Sequence, residues 1–199
     1  MPHNLNPDLS GKLSIYKALL IKWSKAINLV SPSTLTDIDA RHFNDSLQLL
    51  KFIPEDTKTL LDIGSGAGFP GLVLALARPD MSVHLVESDQ RKCSFLSAVS
   101  RETNIPVIIN NARVEAVDKS IAPNVITARA LADLTTLLKL TEKFWLDNKA
   151  LTLILPKGAK WSQEVIDAKI KYDFSYEHHT SLTEKDAAVL VLTNIKYLK

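Results

Sequence analysis

The chain has 199 residues, 46% hydrophobic and 23% charged, enough to bury one α/β core and too apolar for a disordered segment. A net charge of +2 carries no argument for nucleic acid by itself, although both ends are slightly basic around an acidic middle. One cysteine, Cys93, excludes a disulfide framework and a multi-cysteine zinc site; with no signal-like or membrane-length apolar run, a cytoplasmic protein without a metal is expected.

Leu9, Leu13, Tyr16, Leu20, Trp23, Ile27 and Val30 recur at spacings of four and three, which predicts one amphipathic helix over residues 9–30. A second helix is predicted from Ser31-Pro32 to about Leu50, because Pro32 suits a first turn and Thr34-Leu35-Thr36-Asp37 resembles a capping box. From residue 59 the pattern alternates. Strand 59–63 runs into a glycine cluster and helix 70–77; strand 83–86, helix 90–101, strands 107–109 and 125–128, helix 134–146 and strand 151–155 follow. Such alternation means a parallel sheet with helices on both faces. Phe174-Ser175-Tyr176 and the apolar run 188–192 are separated only by a turn-rich stretch, too short for a crossover helix, so these two strands should pair antiparallel. The expected organisation is a helical extension, 1–51, packed on a single α/β domain, 52–199.

Gly64, Gly66 and Gly68 stand at alternate positions directly after the first strand. Glycine there permits a tight turn and lets a ligand approach backbone amides at a helix N-terminus. Gly66, Gly68 and Gly71 also satisfy G-x-G-x-x-G, so a nicotinamide enzyme shares this loop. Two features favour S-adenosylmethionine. Asp62 ends the strand, where a carboxylate can meet the cationic end of that cofactor or anchor loop amides, and the antiparallel C-terminal pair suits a methyltransferase sheet. Glu87, closing the second strand, can hold ribose hydroxyls of either cofactor; a capping or solvated acid is the plain alternative.

The segment after the fourth strand reads Thr127-Ala128-Arg129-Ala130, without the Asn or Asp, prolines and aromatic that bind an exocyclic amine. Cytosine C5 methylation needs a nucleophilic cysteine, and Cys93 lies on the helix after the second strand, away from the transfer site. Guanine N7 carries a free lone pair and needs no general base, so positioning and electrostatics suffice.

Asn28-Leu29-Val30, Arg41-His42-Phe43-Asn44-Asp45-Ser46-Leu47, the loop 62–71, Glu87-Ser88 with Lys92 and Phe95-Leu96, Arg113-Val114-Glu115, Thr127-Ala128-Arg129-Ala130 and Lys157-Gly158 occur in this order. The set resembles the ribosomal RNA small-subunit methyltransferase G family, also called glucose-inhibited division protein B, over almost the whole chain. The resemblance implies a Rossmann-like class I α/β fold with a seven-stranded, mostly parallel sheet. It also implies transfer of methyl from S-adenosylmethionine to N7 of a guanine in the 16S rRNA loop near the decoding centre. The substrate would be RNA within the small subunit or an assembly intermediate, and the enzyme a monomer. By the same resemblance Gly64 and Phe69 line the cofactor with Ser65, Gly66, Gly68 and Ser88, Glu87 holds the ribose, Val114 and Glu115 sit beside the adenine, and Arg129 borders cofactor and target base.

Arg41 and Asp45 stand i, i+4, the spacing of an ordinary intrahelical ion pair, and His42 can be a packing histidine; the resemblance places all three on the substrate side. Asn28 caps its helix or touches RNA. Arg113, after the third strand, makes a surface salt bridge or contacts substrate. Lys157 is a solvated lysine or the group that meets a phosphate or guanine O6, and with Arg129 it stands closest to the chemistry. Arg129 alternatively pairs with an acid such as Asp133. Trp23 and Trp145 read as core residues, and Trp161, near Lys157 and Lys160, as a stacking candidate.

Overall fold

The computed structural model describes residues 6–198. The strands are β1 (Thr59–Ile63), β2 (Ser82–Glu87), β3 (Ile108–Asn111), β4 (Val125–Thr127), β5 (Thr152–Lys157), β6 (Tyr172–Thr180) and β7 (Ala188–Tyr197). They form one sheet in the order β3-β2-β1-β4-β5-β7-β6. The first five are parallel, and β7 inserts antiparallel between β5 and β6. Chain direction of travel across the sheet reverses between β1 and β4, so the crevice at their carboxyl ends is where a ligand fits.

Helices α3 (Gly71–Ala77) and α4 (Gln90–Thr103) cover one face with α1 (Leu9–Trp23), while α5 (Leu134–Leu140), α6 (Glu142–Trp145) and α7 (Trp161–Ala168) cover the other. Tyr16, Leu20, Phe43 and Leu49 from the N-terminal elements share a core with Leu72, Leu76, Phe95 and Leu96. Trp145 is buried and its indole donates to Leu138 O at 2.8 Å; Trp23 packs edge-on against Phe95. Among the described residues no helix is long and apolar enough to cross a membrane.

Three helix expectations are corrected. The first helix ends at Trp23, not residue 30; Ile27 and Val30 nevertheless pack half-buried against the core from the bend that follows, because periodicity records burial and not the backbone path that achieves it. The second is a mixed segment: 3-10 turns over Pro32–Asp37, a π-helical stretch over Asp39–Asn44, the single turn α2 (Asp45–Leu47), and 3-10 turns over Gln48–Phe52. Pro32 stands at its start as expected, but the capping box is absent, since the Thr34 hydroxyl donates to Ser31 O and meets His42 instead. The third breaks at Thr141, whose hydroxyl bonds back to Leu137 O at 2.8 Å, the kind of contact that bends a helix.

Candidate active site

The loop after β1 turns through φ of +67°, +57° and +94° at Gly64, Gly66 and Gly68. Glu87 braces it. Its Oε2 accepts from Gly66 N at 2.9 Å and its Oε1 from Asp89 N at 2.8 Å, which fixes the loop to the start of α4. Around this loop lies a cavity of about 380 Å³. Gly64, Ser65, Gly66, Phe69, Glu87, Ser88, Arg113, Val114 and Arg129 all line it. A Cβ at Gly66 would meet only Gly64 O, at 3.8 Å, and would project into open space. The loop is therefore a cradle that a side chain would fill. With a carboxylate at the end of β2, it fits the amino-acid and ribose parts of S-adenosylmethionine.

Two residues expected at the cofactor are placed elsewhere. Gly68 faces the core, where a Cβ would lie 2.5 Å from Tyr16 Oη and 2.9 Å from Leu72 Cβ; it is glycine for packing. Glu115 is exposed and turns toward Lys143, whose ammonium donates to Val114 O at 2.9 Å and Glu115 O at 3.0 Å. Asp62, expected to meet the cofactor's cationic end or to anchor loop amides, lines neither cavity. It is fully buried beneath the loop against Gly71; Oδ1 accepts from Thr127 Oγ1 at 2.7 Å and Oδ2 has no hydrogen-bond partner. Burial pushes its pKa up to about 6, against the opposing hydrogen bond from Thr127.

A second cavity of about 390 Å³ adjoins the first, and the two share Arg129 and Ala130 as a common wall. Ala130 holds φ +53°, a costly conformation for a residue with a Cβ, at the junction of the two spaces. Arg41, His42, Asp45 and Lys157 line the second cavity, together with Gln48, Glu164, Thr183 and Glu184. Arg129 organises it. Nη1 donates to Asp45 Oδ2 at 3.1 Å and to Arg41 O at 3.3 Å, Nη2 donates to His42 Nδ1 at 3.1 Å, and the guanidinium lies 4.9 Å from the Phe69 ring centroid.

The ion pairs differ from the sequence expectations. Arg41, in the π-helical stretch, and Asp45, at the start of α2, do not pair; Arg41 reaches Glu184 at 3.2 Å, and Asp45 takes Arg129 while its Oδ1 accepts from Gln48 and Thr183. Asp133 does not meet Arg129, because it caps α5 through Thr136 N at 2.9 Å. Lys157 is not solvated: its ammonium is buried, 2.7 Å from Glu164 Oε2 and 2.7 Å from Ala132 O. Asn28 is exposed and lines neither cavity. Arg113 makes no ion pair among the described residues. Trp161 is stacked on His178, 4.7 Å between centroids. Glu164, Gln48, Thr183 and Glu184 were missed. Thr183, Glu184 and Gln48 reach the cavity through partners more than 130 residues away, and Glu164 stands on a helix the sequence pattern did not indicate, so no local pattern points to them.

His42 is a packing residue and a member of the polar cluster at once. It is buried, stacked on Phe69 at 4.8 Å, and bonded through Nε2 to Thr34 Oγ1 at 2.9 Å. Burial, then the Arg129 charge, lower its pKa to about 4. Since Arg129 can only donate, Nδ1 is the acceptor and Nε2 carries the proton. Cys93 is buried behind β2, its thiol directed at Glu87 O, and burial raises its pKa; it offers no nucleophile to either cavity.

A seven-stranded sheet in this order, with a glycine loop after β1, an acid closing β2 and a neighbouring polar cavity, is the Rossmann-like fold of class I S-adenosylmethionine-dependent methyltransferases. Solved structures share the fold at low identity. MtNAS in complex with S-adenosylmethionine superposes with a TM-score of 0.59, at 12% identity over 93% of this chain and 75% of that one. An rRNA methylase from Streptococcus thermophilus gives 0.53 at 14% identity, covering 78% of this chain and 98% of that chain. The family model described as rRNA small subunit methyltransferase G matches residues 10–192. Relatives named ribosomal RNA small subunit methyltransferase G are 41% identical in Methylorubrum extorquens (97% of this chain, 92% of the relative) and 44% identical in Rhodospirillum centenum (92% and 83%). The chain belongs to the rRNA small subunit methyltransferase G family.

Proposed function

We propose that this chain methylates N7 of a guanine in the 16S rRNA loop near the decoding centre, acting as a cytoplasmic monomer without a metal on the small subunit or an assembly intermediate. The observation that carries the reading is the shared wall. Arg129 and Ala130 separate a glycine-loop cavity from a polar cavity, so a base in the second faces a methyl donor in the first. S-adenosylmethionine supplies an electrophilic methyl on a sulfonium, and the N7 lone pair of guanine needs no proton removed to accept it.

The protein's share of the work is placement and field. Glu87 and the Gly64–Gly66 turn hold the donor, while Arg129, fixed by Asp45, His42 and Phe69, orients the base edge. Its guanidinium cannot act as a base at neutral pH, and His42 has both ring nitrogens engaged. Basic excess at the chain ends supports a polyanionic partner. The test is incubation with labelled S-adenosylmethionine of small subunits lacking the modification, their free 16S rRNA and a metabolite pool, followed by mapping of the methylated atom. Label at a guanine N7 in 16S rRNA is expected; label in the metabolite pool alone removes the reading.

A further inference from the structure

The wall of the second cavity holds a buried lysine and a partly buried acid that the methyl transfer itself does not use. Lys157 ends β5 and Glu164 stands on α7, and their charges meet at 2.7 Å on the cavity wall. Both groups are held from outside. Lys157 Nζ donates to Ala132 O at 2.7 Å, and Glu164 Oε2 accepts from Leu134 N at 2.9 Å, so the pair is fastened to the segment that follows Arg129 and Ala130. Such a pair has few rotamers left and presents a fixed pattern to the cavity.

That pattern is incompletely satisfied. Of three ammonium protons, one goes to Glu164 and one to Ala132 O, leaving one donor. Glu164 Oε1 accepts no hydrogen bond from the described residues, and the side chain lines the cavity and is 23% exposed. The other carboxylates differ: both Asp45 oxygens are engaged, and Glu184 is a half-exposed partner of Arg41 at the rim. One free donor thus stands beside one free anionic acceptor on the wall of the cavity that Arg129 and Ala130 also line.

We propose that Lys157 and Glu164 are the base reader of this cavity, with Lys157 Nζ donating to guanine O6 and Glu164 Oε1 accepting from guanine N1–H and the N2 amino group; this rests on the methyl-transfer reading above. Guanine presents N7, O6 and N1–H in that order around its edge. N7 at the shared wall therefore brings O6 to Lys157 and the N1–N2 edge to Glu164. Adenine is refused by the same two groups, because its N6 amino group faces the ammonium and its N1 lone pair faces the carboxylate. Neither residue supplies or removes a proton in the transfer.

The test uses small subunits reconstituted with 16S rRNA carrying guanine or inosine at the target position, inosine lacking only the N2 amino group. In single turnover the wild-type protein should transfer methyl to inosine at least about tenfold more slowly, since a site built around a hydrogen-bonding group discriminates strongly against the analogue without it. Glu164→Gln, with thermal unfolding and S-adenosylmethionine affinity as controls, should slow the guanine reaction about tenfold and bring the guanine-to-inosine ratio toward one. Equal rates on the two RNAs with the wild-type protein overturn the base reader whether or not the variant folds, and so does a wild-type ratio in a folded Glu164→Gln. Absence of transfer to the guanine RNA removes the broader functional reading instead.

Discussion

Arg129 and His42 are joined by a hydrogen bond of 3.1 Å from Nη2 to Nδ1, while the imidazole lies stacked on Phe69 of the glycine loop. The geometry links the cofactor cradle to the N-terminal helical segment through one guanidinium. It also sets a direction for each proton: Arg129 donates to His42, His42 to Thr34, and Thr34 to Ser31 O. A charged His42 would lose the first bond, since Arg129 has no acceptor to offer, and would repel Arg129; burial first and this repulsion second lower its pKa.

Arg129→Ala should keep the fold and lose at least tenfold in single-turnover methyl transfer, equivalent to about 1.4 kcal/mol or more of transition-state stabilisation. Arg129→Lys should recover little, because one ammonium cannot reach Asp45, Arg41 O and His42 together as the planar fork does. Near-wild-type rates in either variant, with circular dichroism unchanged, would remove Arg129 from the site.

Asp62 gives a pH test that does not depend on substrate. Its folded pKa, about 6, lies above the unfolded value of 3.8, so its contribution to stability is complete below 3.8 and is lost as pH rises through 6. His42 works in the opposite sense: its folded pKa of about 4 lies below the unfolded 6.5, so stability falls as pH drops from 6.5 to 4. Comparison with Asp62→Asn cancels the His42 contribution. The stability of the variant relative to wild type should rise between pH 4 and 6 by on the order of 3 kcal/mol, two pKa units at 1.36 kcal/mol each. Urea unfolding at intervals across this range reads it, and a pH-independent difference would contradict the assignment.

Glu87→Ala should weaken S-adenosylmethionine binding by about 1–3 kcal/mol, the cost of losing charge-assisted hydrogen bonds. Part of that loss is indirect, since Gly66 N and Asp89 N lose their acceptor and the loop loses its anchor on β2. Calorimetry on the folded variant measures the sum; unchanged affinity would leave Glu87 a structural brace only.

The α/β alternation, the antiparallel end of the sheet and the glycine loop were legible because each rests on local signals: apolar runs of strand length, glycines at fixed spacing, and a connection too short for a helix. Ile27 and Val30 show the limit of such signals, since their stripe positions marked contact with the core correctly and their backbone incorrectly. Arg41 and Asp45 show another. Their spacing favoured a mutual pair, and tertiary partners 143 and 84 residues away took both. Lys157 and Glu164 lie only seven apart in sequence, yet α7 was not foreseen and nothing local marked the acid. Function in this cavity is assembled by the sheet order, which brings β5, α7 and the N-terminal segment to one wall.

Gly66 and Gly68 separate binding from stability. At Gly66 an added side chain enters the cofactor cavity and meets no protein atom closer than Gly64 O at 3.8 Å. Gly66→Val should therefore abolish S-adenosylmethionine binding, while its positive φ costs roughly 1–3 kcal/mol of stability in a protein that still folds. At Gly68 even a methyl group collides with Tyr16 Oη and Leu72 Cβ, and the Tyr16 hydroxyl is tied to Ala67 O, so the neighbours cannot retreat. Gly68→Ala should lose more stability than Gly66→Val, since overpacking of about 1–3 kcal/mol adds to the same backbone strain. At a temperature where both variants remain folded, Gly68→Ala should retain measurable affinity. Paired thermal unfolding and calorimetry read both quantities; tight cofactor binding by folded Gly66→Val would move the cofactor away from this loop.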